Sequence, residues 1–279
     1  MKRILSLGAG VQSSTLALMA AYGDIEPIDA AVFADTQGEP KSVTEWLETL
    51  RGLVNAAPHP FPIYTITAGS LEEVSTNTKC SKKTGNHYVR QMIPAFVARH
   101  DGSHGLLGRR CTAEYKIRPL NVFSRKLVPV KRGCKHVVCH TLIGISYDEV
   151  QRMKPSREPW SENIWPLIDL KMTRQDCLKW MESHGFPRPP RSACVFCPFH
   201  SDEEWRRLKT DEPEEFTRAV LFEQKMQHAF TQTTGNAKLR GEVYLHSSLK
   251  PLDEIDFTDR PGHIQIDMFG NECEGLCGV

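Results

Sequence analysis

The chain has 279 residues, enough for one α/β domain with a smaller extension and a sizeable buried core. Lys and Arg number 35 against 34 Asp and Glu, and a net charge of +1 excludes a generally basic nucleic-acid coat. No apolar run is long enough to span a membrane and no secretory leader precedes the first strand, so the nine cysteines point to a reducing cytoplasm and to metal or redox chemistry.

The first elements come at once. Ile4, Leu5 and Leu7 read as a buried strand that enters a turn of small residues and leaves as an apolar helix from about Thr15. Gly8 and Gly10 let the backbone approach a ligand closely. Ser13 and Ser14 lie where N–H groups and hydroxyls at a helix start hold an anion. The pattern is neither a Walker loop nor a GxGxxG fingerprint, so an ordinary strand-to-helix turn stays open as its alternative.

Asp29–Glu39 reads as a second strand running into a polar turn, and Ser42 with Glu45 as a capping box for a helix over Val43–Val54. A third strand over Pro62–Thr67 precedes a cap at Ser70 with Glu73. Residues 76–88 read as a polar loop, and a helix is expected from about Tyr88 to His100 despite Pro94. Thr112 is expected to cap a helix from Ala113 to Leu127. Strands are expected over His136–Ile145 and Ile164–Ile168, then a helix capped by Thr173 with Asp176. Ser201 with Glu204, and Asp211 with Glu214, start two more, the second reaching Phe230; beyond Thr231 the composition reads as a loose tail. Alternating strands and helices imply βαβ units, a mostly parallel doubly wound sheet, and ligands at the carboxyl ends of its strands. The expected division is an α/β domain over 1–185 and a cysteine-bearing helical extension with a C-terminal tail over 186–279.

Three stretches carry the chemistry. Around Cys111, the cations Arg109, Arg110, Lys116 and Arg118 favour a thiolate and supply anion ligands. Cys194-Val-Phe-Cys197-Pro places two sulfurs for one metal centre, with a redox dithiol or plain buried thiols as the alternatives, and Cys111 is the natural third ligand. Cys273 and Cys277 sit near the C-terminus, where a thiol completes a cluster or acts as a nucleophile. Between Lys79 and Lys135, 14 Lys and Arg face only Asp101 and Glu114, a local field suited to a polyanion such as nucleic acid. Cys80, Cys134, Cys139 and Cys177 read as core or surface thiols.

In this order the pieces resemble the phosphoadenosine phosphosulfate (PAPS) reductase family of the PP-loop superfamily, over roughly residues 3–205. Gly8-Ala-Gly-Val-Gln-Ser-Ser14 resembles its phosphate loop, and Asp35-Thr-Gln-Gly-Glu39 its DTGxE segment. Cys111-Thr112 with Lys116–Leu120, Gly144–Arg152, Pro166–Asp169 and Cys194–Pro198 follow in register. The resemblance implies an adenine nucleotide alpha hydrolase-like, Rossmann-like fold. It also implies an adenine nucleotide (PAPS, adenosine phosphosulfate or ATP) held by Ser6, Gly8, Ala9, Gly10, Gln12, Ser13, Ser14, Asp35, Thr36, Glu39, Arg118, Gly144 and Asp148. A [4Fe–4S] cluster, with zinc as the alternative, would take Cys111, Cys194, Cys197, Cys273 and Cys277 as its ligand set, with Cys80 a further candidate. Cys273, Lys116 and Arg152 would be catalytic. A thioredoxin-like reductant or sulfur donor and a homodimer are the implied partners.

The chain departs from the family at three points. Gln12 stands where ATP-cleaving members have aspartate, and Arg110 where cluster-bearing members have a second cysteine. Glu272-Cys273 with Gly275-Leu276 echoes only part of the reductase tail. The expected activity is sulfonucleotide reduction, with ATP-dependent thiolation of tRNA or DNA, or a nucleotide-binding module without catalysis, as alternatives.

Overall fold

The computed structural model describes residues 1–257. In chain order its strands are β1 (Lys2–Leu7), β2 (Ala30–Asp35), β3 (Ile63–Thr67), β4 (Thr78–Cys80), β5 (His87–Val89), β6 (Phe96–Arg99), β7 (His104–Leu106), β8 (Cys139–Ile143), β9 (Ser161–Ile164) and β10 (Gly241–Tyr244). The α-helices are α1 (Val11–Tyr22), α2 (Lys41–Ala56), α3 (Leu71–Thr76), α4 (Arg118–Leu127), α5 (Pro166–Asp169), α6 (Arg174–Ser183), α7 (Asp202–Asp211) and α8 (Pro213–Thr231). The chain forms two units, residues 1–68 with 112–192, and residues 69–111 with 193–257. A single cut at residue 185 does not describe this division, because 69–111 groups with the C-terminal stretch.

The first unit is the expected α/β layer structure. Its five strands are all parallel, in the order β3-β2-β1-β8-β9. The apolar residues alternate across the sheet. Leu5, Leu7, Ala31, Phe33 and Leu142 pack with α1, α2 and α6 on one face. Ile4, Val32 and Cys139 pack with Leu120 of α4 on the other. Helices on both faces explain why these strands are near-continuous apolar runs. The chain winds from β1 outward to β3, then returns to β8 beside β1. That reversal leaves a crevice at the carboxyl ends of β1 and β8, the ligand position of open α/β sheets.

Boundaries moved where turn chemistry was misjudged. α1 starts at Val11, four residues before the expected Thr15, and α2 at Lys41 behind Pro40. A π-helical stretch over Thr112–Ile117 precedes α4 where one α-helix was expected. β9 ends at Ile164 and Pro166 opens a helical turn, so the expected strand over Ile164–Ile168 is absent. Pro at the first helical position starts a helix readily because its missing N–H is unpaired there anyway. The Ser70 cap and the Thr173–Asp176 capping box are present as expected.

In the second unit, β10, β6 and β7 form an antiparallel sheet, and β4 pairs with β5 in a hairpin. These strands replace the helix expected over Tyr88–His100, the loop expected at 76–88 and part of the loose tail. α8 starts behind Glu212 with Pro213 in its first turn, so Asp211 is not its cap. Its core is aromatic: Phe196 stacks on Phe222 at 4.1 Å, and Trp205 meets Phe216 and Phe257.

Candidate functional site

The glycine turn joins β1 to α1 at the crevice. The residue with positive φ is Ala9, at 60°, while Gly10 is extended at φ −91°. A left-handed alanine is strained by roughly 1–2 kcal/mol and persists only where its surroundings hold it. Here the surroundings do so. The Gly8 N–H donates to Ser13 Oγ at 3.1 Å, and Ser192 Oγ donates to the Gly8 carbonyl. Trp46 Nε1 on α2 donates to Ser14 Oγ at 2.9 Å. Gln12, Ser13 and Ser14 are fully buried. The serine hydroxyls therefore brace the turn, and the leading N–H groups of α1 supply its positive end.

Beside it, Ser6, Gly8 and Lys116 line a small cavity with Leu120. Lys116 Nζ lies 3.1 Å from Glu39 Oε1, with side chains 6% and 4% exposed. Glu39 ends the polar turn after β2, where the Gln37 N–H donates to Asp35 Oδ1 and the Gly38 N–H to Thr36 Oγ1. Asp35 and Thr36 thus hold their own turn, and Lys116 carries a carboxylate partner inside the fold.

After β8 the chain turns through Gly144–Arg152. Asp148 Oδ1 accepts the Arg174 N–H at the start of α6, so its carboxylate braces a helix end. Glu149 faces both ways: Gln12 Nε2 donates to its Oε2 at 3.1 Å, and Arg152 Nη1 donates to its Oε1. Residues that follow β1 and β8 are thereby joined across the reversal point.

Arg152 opens onto a cleft of about 400 Å³ between α4, β8, β9 and the segment 152–158. The cations Arg118, Arg125, Arg152, Lys154 and Arg157 line it, with Glu158 the carboxylate among its lining residues. Glu158 already accepts Trp160 Nε1 at 2.7 Å. Asn163 of β9 holds the Lys154 carbonyl at 2.9 Å, which ties the basic segment to the sheet. Trp165 also lines the cleft, and its indole N–H has no acceptor among the described residues. The balance of charge suits a ligand with anionic groups.

Solved structures similar to this chain include one of a reductase. It is a phosphoadenylyl-sulfate (PAPS) reductase from Candida auris in a phosphate complex, at 15% identity and a TM-score of 0.41, covering 68% of this chain and 75% of that one. No family model matches the sequence, and no curated protein does.

The structure gathers many of the expected residues in the first unit. Gly8–Ser14, Glu39, Lys116 and Gly144–Arg152 meet at one sheet edge, and Arg118 and Arg152 line the cleft. The sequence places Glu149 and Trp165 at strand ends without giving them a site role, and gives none to Arg125, Lys154 or Arg157. The available signal was Arg152-Met-Lys-Pro-Ser-Arg157, a basic run beyond the Lys79–Lys135 field.

Cys111, Cys194 and Cys197 belong to the second unit, half-buried and free of disulfides. The Cys197 N–H donates to the Cys194 carbonyl at 2.9 Å, and His200 Nε2 donates to that same carbonyl at 2.9 Å. Among the described residues, no three His, Cys, Asp or Glu side chains form a group able to hold a metal ion. Cys273 and Cys277, the remaining expected ligands, lie outside the described residues. Cys80 is exposed on β4. No described helix is long and apolar enough to cross a membrane.

Proposed function

We propose that this chain binds an adenine sulfonucleotide and acts as a PAPS reductase-like enzyme on its sulfur group. The observation that carries the reading is the cleft over β8 and β9, lined by five cations of which Arg118 pairs with Glu114 and Arg152 with Glu149, and linked through Glu149 and Gln12 to a braced glycine turn. Two anionic groups of one nucleotide would be held there, one at the positive end of α1 and one in the cleft. Arg152, whose side chain is only 14% exposed, would act in a drier and hence more strongly interacting position.

In this proposal Cys273 supplies the nucleophile. Its thiolate attacks the sulfo sulfur, a sulfur–sulfur bond forms, and the sulfur–oxygen bond breaks with the electron pair leaving on the nucleotide phosphate. The cleft cations stabilise the charge that develops on that phosphate. An external dithiol, thioredoxin-like in chemistry, then attacks the cysteine sulfur, releases sulfite and ends as a disulfide, supplying both electrons. No step is routed through a metal centre.

The test is calorimetric titration with PAPS, adenosine phosphosulfate and ATP, followed by assay of sulfite release with a dithiol. Tight binding of a sulfonucleotide and Cys273-dependent sulfite release are expected. Binding of ATP alone, with pyrophosphate release, would replace this reading with the thiolating one. No nucleotide binding at all would leave a fold without this function.

A further inference from the structure

The geometry points to Glu149 as a positioning residue for Arg152, itself clamped by Gln12, so that a fully buried amide in the first turn of α1 sets the direction of the cleft's guanidinium. This rests on the anionic-ligand reading of the cleft, and it adds a role to two residues that do not line it.

Three observations carry it. Gln12 is fully buried, and its amide nitrogen lies 3.1 Å from Glu149 Oε2 and 3.4 Å from Ser146 Oγ. A carboxylate only accepts, so the amide must present its nitrogen there, and the Gln12 orientation is fixed by Glu149. Gln12 Oε1 then has no donor among the described residues, an arrangement that packing alone would not select. Second, the other oxygen of Glu149 takes Arg152 Nη1, with the two side chains only 12% and 14% exposed. Each end of one carboxylate is thus committed. Third, Arg118, Arg125, Lys154 and Arg157 are exposed, with Arg118 on Glu114 and Arg125 over the Trp160 ring, so Arg152 is the half-buried cleft cation and the one held by a carboxylate that a fully buried side chain clamps in turn.

The residue type at position 12 follows from this. An aspartate or glutamate there would set a second carboxylate against Glu149 and compete for the same arginine. A neutral amide donor is what the Glu149–Arg152 pair requires.

The test separates positioning from simple charge. Glu149→Gln removes a negative charge near an anion site, so through-space electrostatics alone predicts tighter anion binding. Positioning predicts the reverse. Calorimetry with adenosine 3′,5′-bisphosphate and with inorganic sulfate would be run on wild type, Glu149→Gln, Gln12→Leu and Arg152→Ala, with thermal unfolding to confirm that each is folded. Expected is an approximately tenfold weaker dissociation constant for Glu149→Gln, a similar direction for the charge-neutral Gln12→Leu, and a larger loss for Arg152→Ala. Unchanged or tighter binding in folded Glu149→Gln overturns the proposal. If wild type takes sulfate through Arg152 but no nucleotide, the nucleotide reading falls while the positioning role is judged on sulfate. If it takes neither, both fall.

Discussion

Lys116 and Glu39 form an ion pair at 3.1 Å with both side chains more than nine-tenths buried, although they are 77 residues apart in sequence. The pair ties the π-helical stretch to the turn after β2 at the sheet edge. Removing one partner takes this opposite charge away from a buried ionic group, whereas removing both does not. Lys116→Met or Glu39→Gln alone is therefore expected to destabilise the protein by about 3–5 kcal/mol. The double variant Lys116→Met/Glu39→Leu should recover most of that loss. Urea denaturation of the four proteins measures it, and additive losses would contradict a coupled pair.

The cleft cations should not be equivalent. Arg157 is exposed, and an exposed ionic contact is worth about 0.2–1 kcal/mol, so Arg157→Ala should weaken a phosphate-bearing ligand by about fivefold at most. Added salt should shrink that difference, since exposed charges are screened within roughly 10 Å. Titration with adenosine 3′,5′-bisphosphate at low and high salt reads both effects. A salt-independent loss would mean that Arg157 contributes to the fold and not to an ionic contact.

What was legible in the sequence follows from how local each signal is. β1, β2 and β8 are covered on both faces, so their composition alone marks them. The Ser70 and Thr173 caps need only a residue and its neighbour three positions on. The stretch Tyr88–His100 failed because Met92, Ile93, Ala95 and Val97 satisfy helical and strand periods about equally. The deciding contact is the pairing of Phe96 with Tyr244, nearly 150 residues away. The same limit governs the site. The glycine turn is one continuous stretch and could be read, whereas Gln12 meets Glu149 across 137 residues. Lys116 was legible as a cation but not as a paired one.

Thiol reactivity should follow burial. Cys139 on β8 is fully buried, and burial pushes its thiol up to about 11. At pH 8 about one molecule in a thousand then carries the thiolate there. Cys80, exposed on β4, should alkylate with iodoacetamide long before Cys139 in the native protein. Mass spectrometry of the timed reaction checks this order, and early modification of Cys139 would contradict a closed sheet core.

Glu223 on α8 gives a pH-dependent contribution with a defined sign. Its side chain is buried, Oε1 accepts the Leu245 N–H at 2.7 Å and Oε2 accepts the Leu252 N–H at 2.8 Å. Burial outweighs these bonds and holds the carboxyl above its ordinary value. The folded state thus binds this proton more tightly than the unfolded chain does. Its contribution is full below the ordinary glutamate range, about 4.3, and is lost as pH rises through the raised folded value. Glu223→Gln should remove that component of the pH dependence. It should also lower stability by about 1–3 kcal/mol at low pH, because the amide nitrogen would face an N–H that now has an acceptor. Urea midpoints of both proteins from pH 4 to 8 test this. Converging stabilities as pH rises are expected, and parallel curves would mean that Glu223 titrates alike in the folded and unfolded chain.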